Sequence, residues 1–166
     1  MVHDLNTHFA LKDLGELSYF LGFEATRASH GMSLTQSKYT SYLLHKAKMS
    51  ECVMCPTPMC TGSKLSQTDG DHFSDPTLYR STVGALQYLT LTRPDLSFAV
   101  NRLSQYLAAP TVTHWQACKR ILRYVKGTMN TSLYFKTCTI SSPLTLEGFA
   151  DADWASTIAE RNSTSG

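Results

Sequence analysis

Three amphipathic helical patterns in succession, between residues 76 and 127, constrain the fold of this chain more than any other feature. The apolar residues of the middle pattern fall at i, i+3, i+4, i+7 and i+11, on one helix face: Leu96, Ala99, Val100, Leu103 and Leu107. Asp75-Pro76 predicts the start of the first helix, since aspartate is an N-cap acceptor and proline suits the first helical position. We expect Thr113 to cap the third helix and Gly127 to close it. Three such helices joined by short links predict a small helical bundle.

Strands are expected on both sides of this bundle, which makes the predicted fold class α+β. The alternation in SYFLGFEATRA (18–28) predicts one strand, and Ser29-His30-Gly31 predicts a turn into a second strand, MSLTQ (32–36). A helix at 38–49, capped by Ser37, should follow, and residues 3–9 fit the tail of an earlier helix. Beyond the bundle, SLYFK (132–136) and LTLEGFA (144–150) predict two further strands, paired with each other.

Composition excludes a disordered chain but does not identify a partner. Hydrophobic residues make up 42% and charged residues 17% of the sequence, and the formal net charge is +2. Since that charge is too small to indicate nucleic acid, a basic site must come from local clustering. One cluster lies opposite the apolar stripe of the third helix: Lys119, Arg120, Arg123 and Lys126. It fits either a phosphate-binding surface or a solvated helix face.

Two aspartates in FADADWA (149–155) offer a possible metal site. On an extended chain Asp151 and Asp153 point to the same side, where their repulsion could be relieved by Mg²⁺. A solvated strand end explains the spacing equally simply, because charged residues are mostly exposed. A two-metal site would need further carboxylates, for which the sequence shows no pattern.

The cysteines and the apolar runs give weaker indications. Cys52, Cys55 and Cys60 have partial zinc-ligand spacing but no paired fourth ligand, so idle thiols are the preferred interpretation. No apolar run approaches the roughly 20 residues that cross a bilayer. The N-terminus, MVHDLNTHF, lacks the pattern of a signal peptide. We therefore expect a reducing intracellular location and no membrane partner.

Longer stretches carry a family resemblance. The segment YRSTVGALQYLTLTRPDLSFAVNRLSQYLAAPTVTHWQACKRILRYVKGT (79–128) resembles the polyprotein of copia-type retrotransposons, after the polymerase active site. Residues 9–44 are similar to the end of that family's palm, and FADADWA with RNSTSG (161–166) is similar to the start of its ribonuclease H domain. These motifs cover nearly the whole chain in the expected order.

The resemblance implies an organisation for the chain. Residues 1–60 would be the end of the reverse transcriptase palm, with a hairpin that cradles the primer terminus. Composition itself predicts a linker over residues 61–75, because this stretch is rich in Ser, Thr, Gly and Asp. Residues 76–130 would be thumb and connection helices, and residues 131–166 the start of an incomplete ribonuclease H-like domain. Phe20-Leu21-Gly22 matches the primer grip. The resemblance also favours phosphate contacts for the basic cluster of the third helix.

The resemblance also bears on activity. The parent would be an RNA-directed DNA polymerase with ribonuclease H activity that uses Mg²⁺, and Asp151 matches the first metal-binding aspartate of ribonuclease H. Asp153 belongs to the same motif but is not its usual ligand, and the Tyr-Val-Asp-Asp polymerase motif is absent. We therefore expect an inactive internal fragment, without a metal of its own, that works with the rest of the polyprotein. It would bind an RNA–DNA or DNA primer–template duplex weakly. The resemblance also implies a location in a cytoplasmic particle or the nucleus. The alternative is a decayed relic, or a host-retained helical binding module without a polymerase role.

Overall fold

A computed structural model describes residues 15–60, 65–137, 148, 152–153 and 164–165. The chain divides into two compact units, Met1–Lys136 and Thr137–Gly166. The helix tail expected at 3–9, the aspartate Asp151 and almost all of the strand expected at 144–150 lie outside the described residues.

Four α-helices and a short 3₁₀ turn make up most of the regular secondary structure described in the first unit. The helices are α1 (Ser37–Lys46), α2 (Pro76–Leu89), α3 (Ser97–Ser104) and α4 (Val112–Gly127), and the 3₁₀ turn at Pro94–Leu96 leads into α3. The predicted helices are therefore confirmed, although α3 ends before Leu107. No helix among the described residues is long and apolar enough to cross a membrane.

The structure confirms one predicted helix cap and corrects two. The Asp75 side chain accepts a 2.9 Å hydrogen bond from the backbone N–H of Leu78, as the Asp-Pro pair predicted. Ser37 is not a cap but the first residue of α1, and its hydroxyl donates to the Met129 carbonyl. Thr111, rather than Thr113, caps α4, because its hydroxyl accepts from the backbone N–H of His114 and starts the helix earlier.

The hydrophobic core of the first unit lies among these helices. Its best-buried members are at most 1% exposed: Leu43, Tyr79, Val83, Leu86, Leu96, Val100, Leu103, Ile121 and Leu122. Cys118 lies in the same cluster, and burial raises the pKa of its thiol to about 12, so this cysteine is an inert core residue.

The segment that composition predicted as a linker packs closely where the structure describes it, from residue 65 onward. Leu65 is buried, Phe73 stacks on Trp115 with ring centroids 5.0 Å apart, and the backbone N–H of Phe73 donates to Pro110. The backbone N–H of Val112 donates to the Asp71 carbonyl over 2.8 Å. Residues 65–75 are thus held against the start of α4.

An antiparallel four-stranded sheet completes the first unit. Its strands are β1 (Tyr19–Phe20), β2 (Phe23–Ala28), β3 (Gly31–Thr35) and β4 (Leu133–Lys136), paired in that order. The predicted β2–β3 hairpin is confirmed, with Ala28 opposite Gly31. β4 pairs with β3, Leu133 lying opposite Leu34, whereas the expected pairing with residues 144–150 lies outside the described residues.

The continuous strand predicted over residues 18–28 is wrong. Leu21 and Gly22 have φ angles of 48° and 82° and form a two-residue turn that places Phe20 opposite Phe23. Two successive positive φ angles are the mark of a type I′ hairpin turn, which reverses the chain. Apolar alternation over residues 19–23 could not distinguish this hairpin from a straight strand.

None of the residues in β1 to β4 is buried, although one face of the sheet is apolar. Cross-strand pairing puts these side chains on that face: Phe20, Phe23, Ala25, Met32, Leu34, Leu133 and Phe135. The sheet therefore adds little to the core of the unit. In the second unit, β5 (Ala152–Asp153) pairs with β6 (Thr164–Ser165).

Candidate nucleic-acid interface

The residues matched to the primer grip, Phe20-Leu21-Gly22, form the exposed tip of the β1–β2 hairpin, here called the hairpin tip. Phe20 is 58% exposed and Leu21 is 67% exposed. The φ of Leu21 lies in the left-handed region, which costs a non-glycine residue about 1–2 kcal/mol. Two apolar side chains thus project from a turn whose geometry does not favour leucine.

Tyr88 on α2 fixes the hairpin tip to the helices. Its hydroxyl donates to the Leu21 carbonyl, and its ring lies 5.7 Å from that of Phe23 and 5.1 Å from that of Tyr39 on α1. A Cβ added to Gly22 would lie 3.7 Å from the Tyr88 ring, which is ordinary contact. Glycine is therefore required here by its positive φ rather than by lack of space.

The basic cluster on α4, named the α4 basic face (Lys119, Arg120, Arg123 and Lys126), is partly engaged with the protein. Arg120 donates to the Thr57 hydroxyl over 2.8 Å, Arg123 to the Val53 carbonyl over 2.6 Å, and Lys126 to the Cys52 carbonyl over 2.9 Å.

The α4 basic face therefore holds the loop 52–57 against the helix. Local sequence could not predict this, because the two segments are more than 60 residues apart. Lys119 makes no hydrogen bond or ion pair with the described part of the chain.

The cysteines with partial zinc-ligand spacing are dispersed. Cys55 is buried, and its thiol donates to the Thr57 carbonyl over 3.4 Å, whereas Cys52 is half-buried and Cys60 is exposed. Across residues 15–60 and 65–137, no three His, Cys, Asp or Glu side chains come together as metal ligands. Asp151 lies outside the described residues, and the backbone of Asp153 pairs with Thr164.

Sequence reasoning missed a second basic surface, the α1 outer face, made by Lys38, Tyr42 and Lys46. These residues follow one another at i, i+4 and i+8; both lysines are exposed, and Tyr42 is 60% exposed. The ammonium of Lys38 lies 5.2 Å from the ring centroid of Tyr19, next to the hairpin tip. The missed signal was the lack of any acidic residue between Ser37 and Lys48.

A hydrogen-bond network around Arg93 joins the 3₁₀ turn before α3 to the end of α4. Arg93 is 5% exposed, binds Asp95 through two hydrogen bonds of 2.9 and 2.7 Å, and donates to the carbonyl and hydroxyl oxygens of Thr128. The Tyr124 hydroxyl also donates to Asp95 over 2.9 Å. Burial alone raises the pKa of Asp95, but the hydrogen bonds from Arg93 and Tyr124 outweigh it and leave that pKa lowered.

Comparisons with known proteins show which family this chain resembles in sequence. A sequence model described as "Reverse transcriptase (RNA-dependent DNA polymerase)" matches residues 1–61, which include the hairpin tip and α1. The retrovirus-related Pol polyprotein from transposon RE2 of Arabidopsis thaliana is 46% identical over 162 residues, which cover 98% of this chain and 11% of that protein. The Pol polyprotein from transposon TNT 1-94 of Nicotiana tabacum is 36% identical over 98% of this chain and 13% of its own length.

A shorter relative is similar over a larger share of its length. An uncharacterized mitochondrial protein of Arabidopsis thaliana is 41% identical over 168 residues, covering 100% of this chain and 68% of that protein. No solved structure matches. The chain spans about a ninth of the RE2 polyprotein. Together with the reverse transcriptase match at the start of the chain, these similarities confirm the predicted family. The chain belongs to the family of copia-type retrotransposon Pol polyproteins.

Proposed function

We propose that this chain is the part of a retrotransposon reverse transcriptase that holds the primer–template duplex, with the hairpin tip against the primer strand. Residues 1–60 would serve as the end of the palm, residues 76–130 as thumb and connection helices, and residues 131–166 as the start of a ribonuclease H-like domain. The reverse transcriptase match over residues 1–61 supports the first of these assignments.

The observation that carries the proposal is the conformation of Leu21. A left-handed leucine costs conformational energy, and a leucine that is 67% exposed gains little from burial. Asparagine before glycine would satisfy the same type I′ turn better. Backbone strain that local packing does not offset is typical of functional positions. Lys38, over Tyr19 next to the tip, adds a cation that can contact a phosphate.

The apolar face of the sheet supports a partner role for the rest of the polyprotein. Phe135 remains 48% exposed on that face, far from the hairpin tip, and this chain covers only 11% of the RE2 polyprotein. A longer parent chain would supply a surface that buries Phe135, since exposed apolar patches mark interaction sites.

The intact parent would use Mg²⁺ to stabilise charge during phosphoryl transfer, with Asp151 as one ligand in the ribonuclease H site. No group of metal-ligand side chains converges in the described residues, and we propose no catalytic step for this chain. We expect purified protein to show no polymerase or ribonuclease H turnover with Mg²⁺ or Mn²⁺. Turnover that is abolished in Asp151→Asn would contradict this expectation.

Binding of the whole chain to an RNA–DNA hybrid with a recessed primer end tests the proposal, with fluorescence anisotropy as the measurement. Phe20→Ala should weaken binding several-fold, because it removes an apolar contact from the hairpin tip. Phe98→Ala is the matched control, since Phe98 is similarly exposed, at 69%, but lies on α3. Equal effects of the two substitutions would refute a specific role for the tip.

Leu21→Asn separates stability from binding. Because asparagine tolerates the left-handed conformation, the free energy of unfolding should stay the same or rise by up to about 1 kcal/mol. Binding to the hybrid should nevertheless weaken. A variant that binds as well as the unmodified chain would show that Leu21 has no contact with the nucleic acid.

A second candidate function is a helical binding module without a polymerase role. The observation in its favour is that the buried core lies among the helices and the segment 65–75, while the sheet contributes no buried residue. The neighbouring coding sequence discriminates the two candidates. An open upstream frame with a Tyr-Val-Asp-Asp motif supports the reverse transcriptase. Stop codons on both sides rule out a live polyprotein and leave the module or a decayed relic.

A further inference from the structure

We infer that the α1 outer face binds the sugar–phosphate backbone of the nucleic acid strand held by the hairpin tip. This inference rests on the proposed function and extends it to a surface that the sequence pattern did not indicate. Lys38 and Lys46 would pair with phosphates, and the Tyr42 hydroxyl between them would donate to a phosphate or sugar oxygen.

The charge of α1 is the first argument. From Ser37 to Lys48 the chain carries three lysines and one histidine, and no aspartate or glutamate. Lys38, Lys46 and Lys48 are all exposed. Two carboxylates flank the helix. Glu24 accepts a 3.0 Å hydrogen bond from the backbone N–H of Lys38, and the exposed Glu51 lies in the following turn. The outer face itself therefore presents positive charge that complements a phosphate backbone.

The spacing of the three side chains is the second argument. Lys38 and Lys46 are eight residues apart, which corresponds to about 12 Å along a helix axis. One strand of a duplex carries a phosphate every 3.4 Å or so of its axis, so this distance spans about three to four nucleotides. A helix lying along the backbone would thus meet several phosphates of a single strand.

The position of α1 relative to the hairpin tip is the third argument. Tyr88 contacts both elements, through the Leu21 carbonyl on one side and the Tyr39 ring on the other. Lys38 lies over Tyr19, which is 55% exposed and directly precedes the tip. A strand that meets Phe20 and Leu21 would therefore continue past Lys38 onto α1.

The contrast with the α4 basic face strengthens the case. Three of its four cationic side chains hold the loop 52–57. The ammonium groups of Lys38 and Lys46 instead make no hydrogen bond or ion pair with the described residues, and Lys38 lies over the Tyr19 ring. Exposed cations without an ionic partner are better placed to replace the counterions of a nucleic acid.

The salt dependence of binding tests the inference. The whole chain is titrated with the RNA–DNA hybrid at several salt concentrations, and the slope of log Kobs against log salt is compared between variants. Lys38→Gln with Lys46→Gln should reduce the magnitude of the slope by about 1.8, because two phosphate contacts are lost. Tyr42→Phe should weaken binding without changing the slope.

The matched control is Arg102→Gln with Lys136→Gln, which removes the same charge from α3 and from the far edge of the sheet. The control slope should equal that of the unmodified chain. An equal reduction of the slope in both double variants would mean that only net charge matters, and would overturn the inference. An unchanged slope in the Lys38 and Lys46 variant would also overturn it, and is the result expected if this face binds an acidic protein instead.

Failure of the inference can be separated from failure of the proposed function. If Leu21→Asn weakens binding while the Lys38 and Lys46 substitutions leave the slope unchanged, the hairpin tip is upheld and the α1 contact is wrong. If the unmodified chain does not bind the hybrid at low salt, the proposed function and this inference fail together.

Discussion

His114 connects the segment 65–75 to α4, and replacing it with alanine should strongly destabilise the first unit. The side chain is 0% exposed, and its ring stacks on Tyr106 with centroids 3.9 Å apart. Its Nδ1 accepts from the backbone N–H of Thr111 over 3.0 Å, so the proton lies on Nε2, which donates to the Ser66 carbonyl over 3.1 Å. One side chain thus closes a helix cap and anchors a neighbouring segment.

The expected loss can be estimated from these contacts. Loss of the capping interaction costs about 1 kcal/mol. Leaving the Ser66 carbonyl without its partner costs roughly 1 kcal/mol more. Lost stacking and the remaining cavity add about 1–2 kcal/mol. His114→Ala should therefore lower the free energy of unfolding by about 3–4 kcal/mol, a large part of the stability of a domain this size.

The same residue gives a pH dependence with a defined sign. Burial lowers the pKa of His114, and the opposing effects of the Ser66 hydrogen bond and the Asp69 charge are smaller. The unfolded chain then binds more protons than the folded one below the ordinary histidine value of 6.5. The stability that neutral His114 provides is present above that pH and is lost as the pH falls towards and through the folded-state pKa.

Urea unfolding followed by circular dichroism, repeated between pH 7.5 and about 5, measures both effects. His114→Ala should be less stable at neutral pH and should depend less on pH in this range. His45→Ala is the control, because His45 is exposed on α1 and its removal should change stability little. A His114→Ala loss below about 1 kcal/mol, or an unaltered pH dependence, would show that neutral His114 does not hold the segment 65–75 to α4.

Three further predictions concern the same unit. Asp75→Ala should cost about 1 kcal/mol of stability, since the α2 cap is lost, and Asp75→Asn should restore most of it. Asp95→Asn should lower the free energy of unfolding by about 1–2 kcal/mol, because Arg93 loses its ionic partner. This value allows for solvent screening, since the carboxylate is 38% exposed, and an unchanged urea midpoint would contradict it. Gly22→Ala should destabilise the β1–β2 hairpin by about 1 kcal/mol, which amide hydrogen exchange at Phe23 would detect.

Periodicity predicted the helices well because their apolar faces are buried together in one core. Local patterns were less successful at the helix starts and turns. Thr111 and Thr113 are both plausible caps, and the partner that decides between them is His114, where a glutamate or glutamine is usual. The turn at Leu21-Gly22 was missed because leucine is unusual at a position with positive φ.

The two basic surfaces show why a candidate site needs tertiary structure. The α4 basic face looked available in the sequence, but its donors meet the loop 52–57 in the fold. The α1 outer face was overlooked because its lysines are separated by apolar residues that face the core, Leu43 and Leu44. Periodicity places residues on a helix face, and tertiary contacts decide which cations remain available.

Binding of the RNA–DNA hybrid by the unmodified chain and by Leu21→Asn, measured in one low-salt buffer, tests most directly whether the hairpin tip holds the primer strand. We expect measurable binding by the unmodified chain, and weaker binding by the variant although its unfolding free energy is equal or higher. Equal affinity of the two proteins, or no binding by either, would contradict the claim that this hairpin holds the primer strand.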